Sequence, residues 1–180
     1  MAKWGSCDFE QLKHLRERLQ ALERVDADKF CRAASKELAA RLLALVIPRT
    51  PVGVYDKDVS FTTKDGRQVT FKANSGKKGG TLRRGWTAKT HEAAASGEEQ
   101  DGAVYAKSLQ IYKNGDNYTI VVTNPVKYAS YVEFGHRTSG NGWVNGRYFL
   151  TLSEDQLRQL APGILQRKLD RLLRGVFKDG

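Results

Sequence analysis

Two prolines constrain this chain more than any other feature. Pro48 and Pro51 close a run from Asp26 in which Phe30, Ala34, Leu38, Leu42 and Leu45 recur at helical spacing. Leu43, Val46 and Ile47 widen that apolar face, and a face this broad suits burial against a sheet. Proline lacks the amide N–H and biases its predecessor to extended geometry, so the helix is expected to end at Pro48 and Pro51. Upstream, Phe9, Leu12, Leu15, Leu19 and Leu22 form a narrower stripe, spaced like a short coiled-coil seam with Asp8 as N-cap. Residues 1–25 are therefore read as an N-terminal helical extension, and 26–180 as one domain.

The sequence changes character after Pro51. Val59, Phe61 and Thr63, then Gln68 to Phe71, flank a Lys64-Asp65-Gly66-Arg67 turn and predict a hairpin. Asn74 to Gly80 is a flexible basic loop, which completes an insertion at 52–80. Order resumes with Leu82 and Trp86 as anchors, and 91–102 is polar and expected to be mobile. Tyr105, Leu109 and Ile111 suggest a strand, although Lys107 breaks its alternation. Asn114-Gly115 supplies a hairpin turn, and Tyr118, Ile120 and Val122 alternate along the return strand, which Pro125 stops. A short helix within 127–134 is expected to end at Gly135. Residues 136–146 form a glycine-rich loop. A C-terminal helix over 149–177 is expected to be interrupted near Pro162-Gly163. The fold class is α+β: an antiparallel sheet with the N-terminal and C-terminal helices packed on one side, plus an extended hairpin/loop insertion.

At 180 residues the chain can bury roughly 70% of its unfolded surface, so it needs no disulfide or metal to hold a core. Apolar content of 40% with a mean hydropathy of −0.54 fits a folded domain bearing long polar excursions. No apolar run reaches membrane-spanning length. Residues Met1 to Glu10 lack a hydrophobic signal core, so synthesis and residence in the cytoplasm are expected. Cys7 and Cys31 are read as reduced thiols. His14, His91 and His136 form no ligand pattern. No cofactor and no metal are expected.

The formal charge of +10 implies attraction to nucleic acid or to acidic protein. Arg167, Arg171, Arg174 and Lys178 fall on one face of the last helix, facing DNA or an acidic partner, or simply water. No recognition helix or aromatic stacking sheet accompanies them, so any DNA contact is non-specific. Gly76-Lys77-Lys78-Gly79-Gly80-Thr81 lacks the earlier glycine of a phosphate loop. Glu133 and His136 could form an acid–base pair but have no nucleophile or orienting third group, so no enzyme is expected and no catalytic residues are assigned. Glu133 is read instead as the partner of an arginine.

Three segments carry a resemblance. They are Ile47 to Val52, at the end of the first long helix; Gly80-Thr81-Leu82-Arg83-Arg84-Gly85-Trp86; and Tyr128-Ala129-Ser130-Tyr131-Val132-Glu133-Phe134-Gly135-His136-Arg137, followed by Gly142-Trp143-Val144 and Gly146 to Leu150. In this order the chain resembles the neck and tail-completion family of long-tailed phages and phage-tail-like particles. It departs from that family in the roughly thirty residues between the proline turn and Leu82, and in the Gly80-Thr81 order. These additions are similar to those of contractile tails and bacteriocin-like particles.

The resemblance implies a structural virion protein. It would be a ring subunit, commonly hexameric, that joins the tail tube to the head connector or caps the tail. Its implied partners are copies of itself and the neighbouring tail-terminator, tail-tube and head-closure proteins, with possible non-specific DNA contact and no membrane. Its implied place is the virion or tail-like particle, after synthesis in the host cytoplasm. Candidate assembly residues are Leu82, Arg83, Arg84, Trp86, Tyr128, Tyr131, Glu133, Phe134, Gly135, Arg137 and Trp143. The alternative reading is a non-specific nucleic-acid-binding protein.

Overall fold

The computed structural model describes residues 13, 16, 17, 20, 27–55, 58–63, 65–72 and 79–178. Lys13, Arg16, Glu17 and Gln20 are helical and exposed, as the polar face of the N-terminal stripe requires. The apolar residues of that stripe, Asp8 and the basic loop 74–78 lie outside the described residues.

Helix α1 (Ala27–Arg49) is the spine. Its deepest residues are Ala34 of the expected stripe, Leu43 and Val46 of those expected to widen it, and Ala39 beside them. Another helix lies close to this face: a Cβ added at Gly102 would sit 3.2 Å from the Leu43 Cβ. The helix runs through Pro48 and stops at Arg49, between the two prolines expected to end it. Pro48 removes a bond of the last turn, but the Thr50 N–H and hydroxyl both donate to the Val46 carbonyl, at 2.9 and 2.7 Å, and close the helix.

The chain then leaves the body as the ribbon β1 (Asp58–Thr62) and β2 (Gln68–Lys72), turning at Gly66 with φ 77°. It re-enters through α2 (Thr81–Arg84) and a 3₁₀ turn, Gly85–Thr87. Two expectations fail next. The polar stretch after Thr90 is an ordered helix, α3 (His91–Ser96), capped by the Thr90 hydroxyl and buried at Ala94. The expected strand at Tyr105 is helix α4 (Gly102–Ser108), whose Asp101 carboxylate caps the N–H groups of Ala103 and Val104. The Lys107 break in alternation was the sign of a helical turn, which buries Tyr105 and Ala106 and exposes Lys107.

The Asn114-Gly115 hairpin forms as expected from β3 (Ile111–Asn114) and β4 (Asn117–Ile120), with Gly115 at φ 58°. It is tied to α1 by Asp28, whose carboxylate accepts from Arg32, Lys113 and the Tyr118 hydroxyl. Those donors, Arg32 first, hold the Asp28 carboxyl well below the usual range, and Asp28 in turn raises the Lys113 ammonium pKa.

Helix α5 (Ala129–Phe134) ends at Gly135 with φ 87°, as expected. The 136–146 segment is not a plain loop but the ribbon β5 (Gly135–Arg137) and β6 (Trp143–Asn145). Helix α6 (Phe149–Lys178) is continuous through Pro162. Pro162 lies on the exposed side, so water can solvate the carbonyl that loses its donor.

The α+β class holds, but the strands of the described residues pair as three separate ribbons rather than in one sheet. The core is largely helical. Leu43 and Val46 of α1 meet Leu82, Trp86, Ala94, Tyr105, Ala106, Val126 and Phe149. No described helix is long and apolar enough to cross a membrane.

Candidate assembly surface

The three segments that carry the family resemblance converge on one buried point. The Thr50 side chain, fully buried, accepts a hydrogen bond from the Trp86 indole at 2.8 Å. Arg83 donates to the Thr50 carbonyl at 2.8 and 3.1 Å and to the Pro48 carbonyl at 3.3 Å. A guanidinium there satisfies helix-end carbonyls and complements the negative end of α1. Trp86 also packs edge-on against Phe149, with ring centroids 6.1 Å apart. Arg49 binds the Ser153 hydroxyl and Gln156, pinning the same end of α1 to α6. Gly85 is required beside them, because an added Cβ would lie 2.2 Å from the Asn124 Oδ1.

Glu133 has a different partner from the expected arginine. Its buried carboxylate accepts from the N–H groups of Leu150 and Thr151, at 3.0 and 2.9 Å, and from the Thr151 hydroxyl at 2.7 Å. It therefore caps the N-terminus of α6, where a negative charge is stabilised by the helix dipole and orphan amides. Gly135 and Gly146 let the β5–β6 ribbon approach: Cβ atoms there would fall 2.4 and 2.2 Å from the carbonyls of Val144 and Glu133.

Four of the sequence-derived candidates thus belong to the interior. Leu82, Trp86 and Glu133 are buried, and Gly135 shapes the turn. Arg83 and Arg84 hold backbone carbonyls, Arg84 those of Ala94 and Gly79. The remaining candidates are exposed. Tyr128, Tyr131 and Phe134 follow one another at three-residue steps along α5, 40%, 58% and 58% exposed. Trp143, 60% exposed, sits opposite Arg137 in the β5–β6 ribbon. His136 packs edge-on against Tyr131 at 5.9 Å. So the imidazole rests on an aromatic ring while the Glu133 oxygens face α6, and the two do not act as an acid–base couple. Val144, across from His136 on the ribbon face opposite to Trp143, and Tyr148 are also exposed. The sequence reading missed those two because alternation in a three-residue strand leaves almost no pattern.

A second apolar surface lies on the β1–β2 ribbon. Register puts Phe61 opposite Val69, and Phe71 lies two residues on from Val69, hence all three on one face. Phe61 and Phe71 stack edge-on at 6.2 Å yet remain 48% and 49% exposed. The ribbon leaves and returns at one place: a Cβ on Gly79 would lie 2.1 Å from the Gly53 carbonyl oxygen. A cleft of about 270 Å³ sits at this base, lined by Tyr55, Gly80, Tyr128, Val132 and Arg147. Burial, and secondarily Tyr55, raises the Tyr128 hydroxyl pKa.

Among the described residues no cluster of three or more His, Cys, Asp or Glu could hold a metal ion. The four C-terminal basic candidates lie on α6, with Arg167, Arg171 and Arg174 exposed.

Neither a curated protein nor a solved structure matches the chain. One family model does, "Bacteriophage HK97-gp10, putative tail-component", over residues 13–135. That is more than half of the 180 residues and takes in α1, the β1–β2 ribbon, the Thr50–Trp86 contact and the whole of α5. The chain belongs to the HK97-gp10-like family of bacteriophage tail components.

Proposed function

We propose that this tail component is a tail-completion or neck subunit. In this reading it assembles with copies of itself into a closed ring, six being the expected number, between tube and head connector or over the tail end. The observation that carries the reading is the pair of apolar surfaces on a body whose core is already closed. A cyclic ring uses two different faces of each subunit, so that one copy's first face meets the next copy's second. The Tyr131–Phe134 stripe beside His136 and the β1–β2 arm are two such faces, and exposed aromatic area is characteristic of protein interfaces. The tail-terminator, tube and head-closure proteins are the expected neighbours, and the particle is the expected place of action. The role is structural, with no chemistry assigned.

Native mass spectrometry of the purified chain tests ring closure, with one discrete oligomer expected. Electron microscopy of particles assembled without the protein tests the station, with tails that fail to join heads or have irregular ends. Normal tails of normal length that join heads would overturn it.

A further inference from the structure

The C-terminal half of α6 carries charge that the fold does not use. Arg167, Arg171 and Arg174 are exposed and, at four- and three-residue steps, fall within about 60° of each other around the helix axis. None of them makes a hydrogen bond or ion pair among the described residues. Other arginines are engaged: Arg41 on Glu37, Arg49 on Ser153, Arg83 on Thr50 and Arg84 on Ala94. On another flank of the same helix, Lys168 pairs with Glu37. Asp170 borders the arginine face and offsets one of its charges, yet forms no ion pair with Arg167 or Arg174.

We infer that this face docks double-stranded nucleic acid through its phosphodiester backbone, without reading sequence. The first argument is charge. The three guanidiniums lie along about 10 Å of a straight helix, on a chain of formal charge +10. A duplex presents one negative charge per about 1.7 Å of its axis, so such a row meets phosphates wherever it lands.

The second argument is the composition of the face. Gln166 and Asp170 flank the arginines, and the exposed Leu169 points to the other side of the helix. A protein partner would call for an apolar centre, whereas nucleic-acid interfaces are polar and positive. The free subunit presents this surface, so binding to it is testable without a ring.

The test is a fluorescence-anisotropy titration of a labelled 30-base-pair duplex across a salt series, using the full chain. Wild type is expected to bind with a log–log salt slope of about −3 or steeper. R167E/R171E/R174E should lose at least about tenfold in affinity at low salt, with a slope shallower by about 2.7, as three released contacts require. R167K/R171K/R174K should keep the slope, which shows that the charges and not the fold were removed. K89E/K107E/K127E changes net charge equally on exposed residues elsewhere and should stay within about threefold of wild type.

Equal losses in the two glutamate triples would overturn the inference in favour of diffuse net charge. So would absence of duplex binding by wild type at low salt. Binding of polyglutamate in place of the duplex would assign the face to an acidic protein.

Discussion

The Thr50–Trp86–Glu133 interior and the β1–β2 arm are built on opposite terms. In the first, every polar group named has a partner, and Thr50, Arg83, Trp86 and Glu133 are consumed by the fold. In the second, the strand residues described are exposed, and no described residue outside the ribbon packs on its apolar face. An isolated two-stranded ribbon is marginal in water. The contrast teaches that recognisable sequence and working surface need not coincide. Of the residues that mark the family, Thr50, Arg83, Trp86 and Glu133 hold the body together, while Tyr131, Phe134 and Trp143 face outward.

Four changes probe that contrast. Trp86→Ala removes a core ring and its bond to Thr50 and is expected to cost about 3–5 kcal/mol in denaturant unfolding. A loss under about 1 kcal/mol would mean the interior is not the fold's keystone. Glu133→Ala leaves two amides at the start of α6 without their acceptor and should cost about 2–3 kcal/mol. Glu133→Gln should recover part of that, since one amide oxygen still accepts.

The third change is Asp28→Asn, read by thermal melts against pH. The Asp28 carboxyl is depressed in the folded state, so its stabilisation is complete above the ordinary carboxylate value of about 4. It is lost as pH falls below that toward the folded value. Wild type should therefore lose stability more steeply than the variant below about pH 4, and parallel curves would remove Asp28 from the account.

The smallest expected effect on the body comes from excising residues 54–78 and bridging Gly53 to Gly79 with two glycines. Stability should change by less than about 1 kcal/mol, while the proposed oligomer should disappear. Collapse of the melt would show that the arm belongs to the core; an intact oligomer would show that assembly does not use it.

The sequence was most legible where a local signal agreed with packing. Gly66, Gly115 and Gly135 marked turns because each adopts positive φ, and Leu82 and Trp86 were legible as anchors. It was least legible where one residue decided between helix and strand. The cap at Asp101 outweighed the apparent alternation from Tyr105, and the cap at Thr90 ordered a polar stretch around Ala94. Pro162 misled because its cost depends on whether its side of the helix faces water, which periodicity does not report. At the candidate surface the residue types were legible, but their burial was not. Glu133 sits between exposed Tyr131 and Phe134, and the amides that receive it lie 17 and 18 residues away.

The contact between Gly53 and Gly79 has a wider meaning for lineages of this protein. Because the body is already sealed at that point, a longer or shorter excursion changes little beyond closure entropy, which rises by about 0.6 kcal/mol for each doubling of loop length. Related particles with differently sized neighbours could keep one body and exchange the fitting attached to it.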